Sequence, residues 1–150
     1  MLYSFTIFGQ TFTLTDTTFK SGDSLITHQI IINPDNGRFF MSQCRPYIDS
    51  VAAFLIKNKN LVVELAMHSD TRGKNEMQLL LTQSQANSIK EYLVIKGVNP
   101  NRIISKGYGG TKPIINKNKI KHLSSKMEME KAYLLNRRTE FIIISTDYKD

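Results

Sequence analysis

The sequence predicts an α+β two-layer sandwich, with helices packed on one face of a mixed sheet in the order β-α-β-α-β-(α)-β. Three observations carry this. Short apolar runs bounded by turn residues recur along the chain, as buried strands do. Between them lie stretches whose apolar residues fall at helical spacing. The alternation of the two kinds implies helices laid over a sheet.

The elements follow in chain order. Residues 1–29 read as a lead-in with β character: Thr11 to Phe19 is rich in Thr and Phe, and Lys20-Ser21-Gly22-Asp23 is a turn cluster. Gln29-Ile30-Ile31-Ile32, closed by Asn33-Pro34-Asp35-Asn36-Gly37, is expected to be the first core strand. Gln43 to Lys57 is expected to be a helix that buries Ile48, Val51, Ala52 and Leu55, with Pro46 in its first turn. Leu61 to Met67 is the next strand and runs into the loop His68-Ser69-Asp70-Thr71-Arg72-Gly73. A long helix follows from Asn75 to about Lys96, with Leu79, Ala86, Ile89 and Leu93 as its buried stripe and Gly97 as its stop. After the turn Asn99-Pro100-Asn101, Ile103 to Tyr108 is a strand that ends among Gly107, Gly109 and Gly110. Met127 to Leu135 is expected to be helical, and Thr139 to Ser145 closes the sheet. The domain itself is placed at residues 30–146.

A chain of 150 residues with 41% hydrophobic and 22% charged residues suits one domain that folds without staples. The single cysteine, Cys44, excludes an intramolecular disulfide. Net charge is +7, and much of the excess lies between Lys112 and Lys131. Such a stretch attracts nucleic acid, an anionic membrane surface or an acidic polymer, but its plainer reading is a solvated, lysine-rich insertion. Lysines without interleaved arginines and aromatics make a poor nucleic-acid signature, so no nucleic-acid partner is expected. No run of eighteen apolar residues occurs, so no transmembrane helix is expected. Met1 to Gln10 is mostly apolar without a basic residue, and reads as a first strand or the remnant of a signal peptide.

The chemistry of catalysis is thinly represented. The histidines His28, His68 and His122 have no metal-binding spacing, and there is no cysteine pair. His68 with Asp70 is weak support for a metal or a hydrolytic site. Gly107-Tyr108-Gly109-Gly110 ends a strand without opening a helix at once, unlike a phosphate loop. The chain is therefore expected to bind rather than catalyse, with no cofactor and no metal.

Several ordered blocks are similar to one family. His68-Ser69-Asp70-Thr71-Arg72-Gly73 followed by Leu81-Thr82-x-x-Gln85-Ala86 resembles the G-H-T-D-x-x-G and L-S-x-x-R-A signature of the OmpA-like carboxy-terminal domain. Gly97-Val98-Asn99-Pro100-x-Arg102-Ile103, Gly107-Tyr108-Gly109, Lys112-Pro113-Ile114 and Asn136-Arg137-Arg138-Thr139-Glu140-Phe141 resemble its later blocks, over about 115 residues in all. The longer insertion before Asn136 is similar to versions from the Bacteroidetes. Pal-type lipoproteins, MotB-type stators and OmpA porin-like proteins carry this domain.

The resemblance implies a non-catalytic module in the periplasm, on the outer-membrane side of the envelope. Its implied partner is peptidoglycan, gripped through the diaminopimelate of the stem peptide, with other envelope proteins as further partners. Diaminopimelate ends in an ammonium and a carboxylate, so an Asp and an Arg clamp it together. The implied ligand residues here are Asp70, Thr71, Gln78, Gln85, Arg137 and Arg138. A loop Asp also serves as a cap or turn residue, and the two arginines also suit structural salt bridges. The chain departs from the pattern at three positions: Met67 stands for Gly, Gln78 for Asn and Gln85 for the clamping Arg. Gln85 offers one neutral amide where arginine offers a charged fork, which weakens binding roughly ten- to a hundredfold per lost charged hydrogen bond. Arg72 is a substitute cation in the same loop, although its plainer reading is an exposed side chain. A second reading is therefore an OmpA-like structural or interaction subunit that has lost the ligand.

Overall fold

Four strands form one open sheet in the order β1-β4-β2-β3, with β1 at Ser24–Thr27, β2 at Val62–His68, β3 at Ile103–Gly109 and β4 at Arg138–Ser145. This is a computed structural model, and it describes residues 9–30 and 41–149. Strands β2 and β3 pair in parallel, while β4 pairs antiparallel with both β1 and β2, so the sheet is mixed as expected. A parallel pair needs a crossover, supplied here by helix α2 (Asn75–Ile95).

The first strand lies earlier than expected. Gln29 and Ile30 form a bend, and Ile31 to Gly37 lie outside the described residues, as do residues 1–8 of the apolar leader-like segment. The strand is Ser24–Thr27, which buries Leu25 and Thr27 and turns Ile26 outward. That is the period-two pattern of an edge strand with one face on the core. The isoleucine run was the stronger apolar signal, but Ile30 reaches the core from a bend.

Helix α1 (Met41–Lys57) buries Ile48, Val51, Ala52 and Leu55 against the sheet, as its periodicity predicts. It starts two residues earlier than expected, so Pro46 sits inside the helix rather than in its first turn, removing one backbone donor. From the lead-in, Phe12 stacks on Phe54 at 5.6 Å, and Phe19 meets both rings edge-on. Arg102, only 4% exposed, donates to the carbonyls of Leu55, Asn58 and Leu61. It thereby satisfies carbonyls at the C-terminus of α1 and ties them to the start of β3.

Helix α2 ends as expected. Gly97 has φ +101°, its N–H donates to Val94 O, and Val98 N–H donates to Leu93 O, a Schellman closure. Its buried stripe is Thr82, Gln85, Ala86, Ile89 and Leu93, whereas Leu79 is 38% exposed. The stripe shifts because α2 presses on the glycines of β3. A Cβ at Gly107 would lie 2.1 Å from the backbone nitrogen of Gln83. Polar residues of α2 also pair with β3: Gln83 donates to Ser105 O and accepts from Gly107 N–H, and the Thr82 hydroxyl accepts from Gly109 N–H. This satisfies backbone groups on an edge strand that would otherwise be open to pairing.

Between β3 and β4 lie a short helix not foreseen from the sequence, α3 (Lys117–Lys121), and the expected α4 (Lys126–Asn136). A capping box of Ser125 and Glu128 opens α4. Asn136, fully buried, closes it by exchanging two hydrogen bonds with the backbone of Ile115. No described helix is long and apolar enough to cross a membrane.

Candidate ligand-binding site

The loop after β2 lies where the carboxyl ends of the parallel strands β2 and β3 meet the start of α2, a usual place for a site in sheets with crossover helices. Beside it β3 carries one extra residue: Met67 pairs with Gly107 but His68 with Gly109. This bulge sets Tyr108 beside His68, and their rings stack with centroids 5.2 Å apart and planes 8° from parallel.

Asp70 is buried in this loop and engaged on several sides. It accepts the backbone N–H of Arg72 at 2.9 Å, which closes the turn. The Arg72 guanidinium then forks onto the same carboxylate, with Nη2 at 2.8 Å and Nε at 3.2 Å. Arg137 Nε stands 3.5 Å from the carboxylate, a loose ion pair without hydrogen-bond alignment. Arg72 is held in turn by α4: Glu130 accepts from Nη1 at 3.0 Å, and the guanidinium lies 4.2 Å above the Tyr133 ring. The bond to Asp70 raises the Arg72 pKa, so its charge is secure. Arg72 is therefore the main partner of Asp70: its side chain is 44% exposed, as the sequence suggested, but it is held by Asp70, Glu130 and Tyr133.

The remaining candidate residues divide. A Cβ at Gly110 would meet the Asp70 carbonyl oxygen at 2.6 Å and Gln78 Oε1 at 2.8 Å, and one at Gly73 would meet Gln78 Nε2 at 3.4 Å. Gln78 thus lies between the loop and the glycines after β3. Thr71 is half-buried in the loop. Gln85 is two turns further along α2 and only 2% exposed. No hydrogen bond joins its amide to Asp70 or to any other described residue. Arg138 does not join Asp70: it pairs with Glu140 at 2.5 Å and donates to the carbonyls of Lys112 and Asn136. Of the two adjacent arginines, one faces the site and the other braces the start of β4.

His68 is 2% exposed, and burial first, then the charges of Arg138 and Lys112, push its pKa down to about 3. It is neutral at physiological pH, so its 3.5 Å approach to Glu140 is not an ion pair. Burial and the Glu64 carboxylate, which accepts the Tyr108 hydroxyl at 2.7 Å, raise Tyr108 to about 12. Neither group is poised for proton transfer near neutral pH.

Buried polar atoms without partners are few in folded proteins, and each asks for an explanation. Here seven such atoms stand among the described residues: both ring nitrogens of His68, Thr71 Oγ1, Gln78 Oε1, both amide atoms of Gln85, and Arg137 Nε. All belong to the end of β2, its loop, the face of α2 or the residue before β4. Four of the five residues were candidates from the sequence. Glu130 and Tyr133, which set the pose of Arg72, were missed, because nothing local marks a partner 58 residues away.

The sequence pattern that defines the OmpA family matches residues 43–125, more than half of the chain. The chain belongs to the OmpA family. Within it, the chain is 32% identical over 109 residues to the peptidoglycan-associated lipoprotein of Buchnera aphidicola subsp. Baizongia pistaciae, covering 73% of this chain and 57% of that protein. It is 36% identical over 67 residues to the peptidoglycan-associated lipoprotein of Rhizobium meliloti, covering 45% of this chain and 38% of that protein. The chain thus spans little more than half the length of the first relative and less of the second. Its OmpA-family fold is similar to a MotB-like protein from Desulfovibrio vulgaris, with TM-score 0.64, 15% identity, and 84% of this chain and 74% of that one covered. The cell wall anchor of the T6SS from Pseudomonas aeruginosa matches with TM-score 0.60 and 18% identity over 81% of this chain and 79% of that one. At these identities the structural likeness is one of fold.

Proposed function

We propose that this protein is a non-catalytic module of the periplasm, on the outer-membrane side, that holds peptidoglycan through the diaminopimelate of the stem peptide. The observation that carries this reading is the concentration of buried polar atoms without a hydrogen-bond partner on Thr71, Gln78, Gln85 and Arg137 around the Asp70 loop. A ligand rich in polar groups relieves each of them. Asp70 receives the ligand ammonium, sharing its carboxylate with Arg72. Arg137 and the amides of the first turn of α2, which no side chain caps, receive the carboxylate. The Gln78 amide and, from its buried position two turns along α2, the Gln85 amide complete the site. Arg138 braces the site from behind. The names of the two peptidoglycan-associated lipoproteins support peptidoglycan as the partner. Other envelope proteins are further partners in this reading.

The second reading, a structural or interaction subunit without ligand, is favoured by one observation: the Asp70 carboxylate is already occupied by Arg72. Pull-down with diaminopimelate-type sacculi separates the two. The first reading expects enrichment of the parent, loss in Asp70→Ala, and poor retention by sacculi with lysine in the stem, which lack the side-chain carboxylate. Retention no better than that of Asp70→Ala refutes it. A Gln85→Arg variant that binds strongly by calorimetry where the parent shows nothing supports the second.

A further inference from the structure

The α3–α4 segment combines unneutralised positive charge with exposed aliphatic side chains. Lys112, Lys117, Lys119, Lys121, Lys126 and Lys131 are all exposed. The two acidic residues of this stretch are engaged within the fold. Glu128 accepts from the backbone N–H groups of Ser124 and Ser125, and Glu130 is paired with Arg72. Lys112 lies 3.9 Å over the Tyr108 ring, and the other five lysines form no ion pair among the described residues.

The apolar part is ordered too. On α4, Met127, Lys131, Leu134 and Leu135 fall at i, i+4, i+7 and i+8 and share one stripe. Met127 is 66% and Leu134 54% exposed, while Ala132 and Asn136 on the inner side are buried. Ile114, before α3, is also exposed. Aliphatic side chains beside lysines offer an anionic lipid surface both charge and apolar contact. The aromatic rings beside this face, Tyr108 and Tyr133, are already covered by Lys112 and Arg72, so they do not offer the open stacking surface that a nucleic acid uses.

We infer that the outer face of α3–α4 docks on an anionic phospholipid surface. Its lysines meet headgroup phosphates, and Met127, Leu134 and Leu135 enter the boundary with the acyl chains. Glu130 and Tyr133 tie α4 to Arg72 of the Asp70 loop, but the lysines and aliphatic residues named here take no part in that contact, so this inference stands or falls independently of peptidoglycan binding.

The experiment is co-sedimentation of the whole chain with phosphatidylglycerol–phosphatidylcholine vesicles and with pure phosphatidylcholine vesicles, at low and high salt. The parent is expected to partition onto the anionic vesicles only and to be released by salt. A Lys117→Gln/Lys119→Gln/Lys121→Gln variant, which leaves the Arg72–Glu130 pair intact, is expected to bind about a hundredfold more weakly, at roughly fivefold per lysine. Met127→Ser/Leu134→Ser is expected to lose at least about tenfold, through buried apolar surface alone. Both variants replace exposed side chains, and unchanged melting curves show that they fold. The inference is overturned if the parent does not distinguish the two vesicle types, or if either variant binds as the parent does. Retention on duplex DNA in place of the vesicles also overturns it.

Discussion

Gln85 offers the sharpest test of the site. Its amide is buried at 2% exposure, and neither its oxygen nor its nitrogen has a hydrogen-bond partner. Leaving such a group unpaired costs about 1–3 kcal/mol. Methionine has the same unbranched shape, similar helix propensity and no amide to desolvate. Gln85→Met is therefore expected to stabilise the ligand-free protein by about 1–3 kcal/mol, raising Tm by about 2–4 °C for each kcal/mol in a domain of this size. The same variant is expected to bind diaminopimelate-type sacculi about tenfold more weakly, since the amide donor is gone. Urea and thermal denaturation measure the first effect, and sacculus retention the second. A Gln85→Met protein that is destabilised by about 1 kcal/mol or more refutes the reasoning, because the amide must then be satisfied in the folded, ligand-free state.

Three further expectations rest on other parts of the fold. Folding holds the His68 pKa near 3, below the ordinary unfolded value of about 6.5, so its stabilising contribution is complete above that value and is lost as pH falls toward 3. Between about pH 7.5 and 5 the parent should lose about 2 kcal/mol relative to His68→Asn, measured as the difference in urea midpoints; parallel curves contradict this. Arg102→Ala removes the donor to the carbonyls of Leu55, Asn58 and Leu61, from the last turn of α1 to the start of β2, and should cost at least about 3 kcal/mol in chemical denaturation. Gly107→Ala drives a Cβ into the backbone of α2, so it should lower stability by about 4 kcal/mol or more, and a near-neutral melt would show that α2 can retreat.

Where the signal for an element is local, it is legible in the chain. The stripe Ile48, Val51, Ala52 and Leu55 marks the buried face of α1, because burial on a helix follows a short repeat. Gly97 marks the end of α2, because only a residue at ease with positive φ closes a Schellman motif cheaply. The loop from His68 to Gly73 stands out as a candidate through its resemblance to the family signature. The first strand was misplaced because apolarity outweighed alternation: Ser24–Thr27 is short, half polar and on an edge, while the isoleucines after it make the louder signal.

By itself the sequence determined the sandwich class, three of the four strands, both long helices and the family; the elements rest on spacing over a few residues, and the family on ordered blocks along most of the chain. Only the tertiary structure decided which charges meet. It laid Arg72 across Asp70 and pinned it to Glu130 and Tyr133 from a helix far along the chain. It also turned Arg137 toward the site and Arg138 away, and buried Gln85 without a partner. Electrostatic and hydrogen-bond pairing depends on ångström distances between segments remote in sequence, and a periodic pattern holds no record of them.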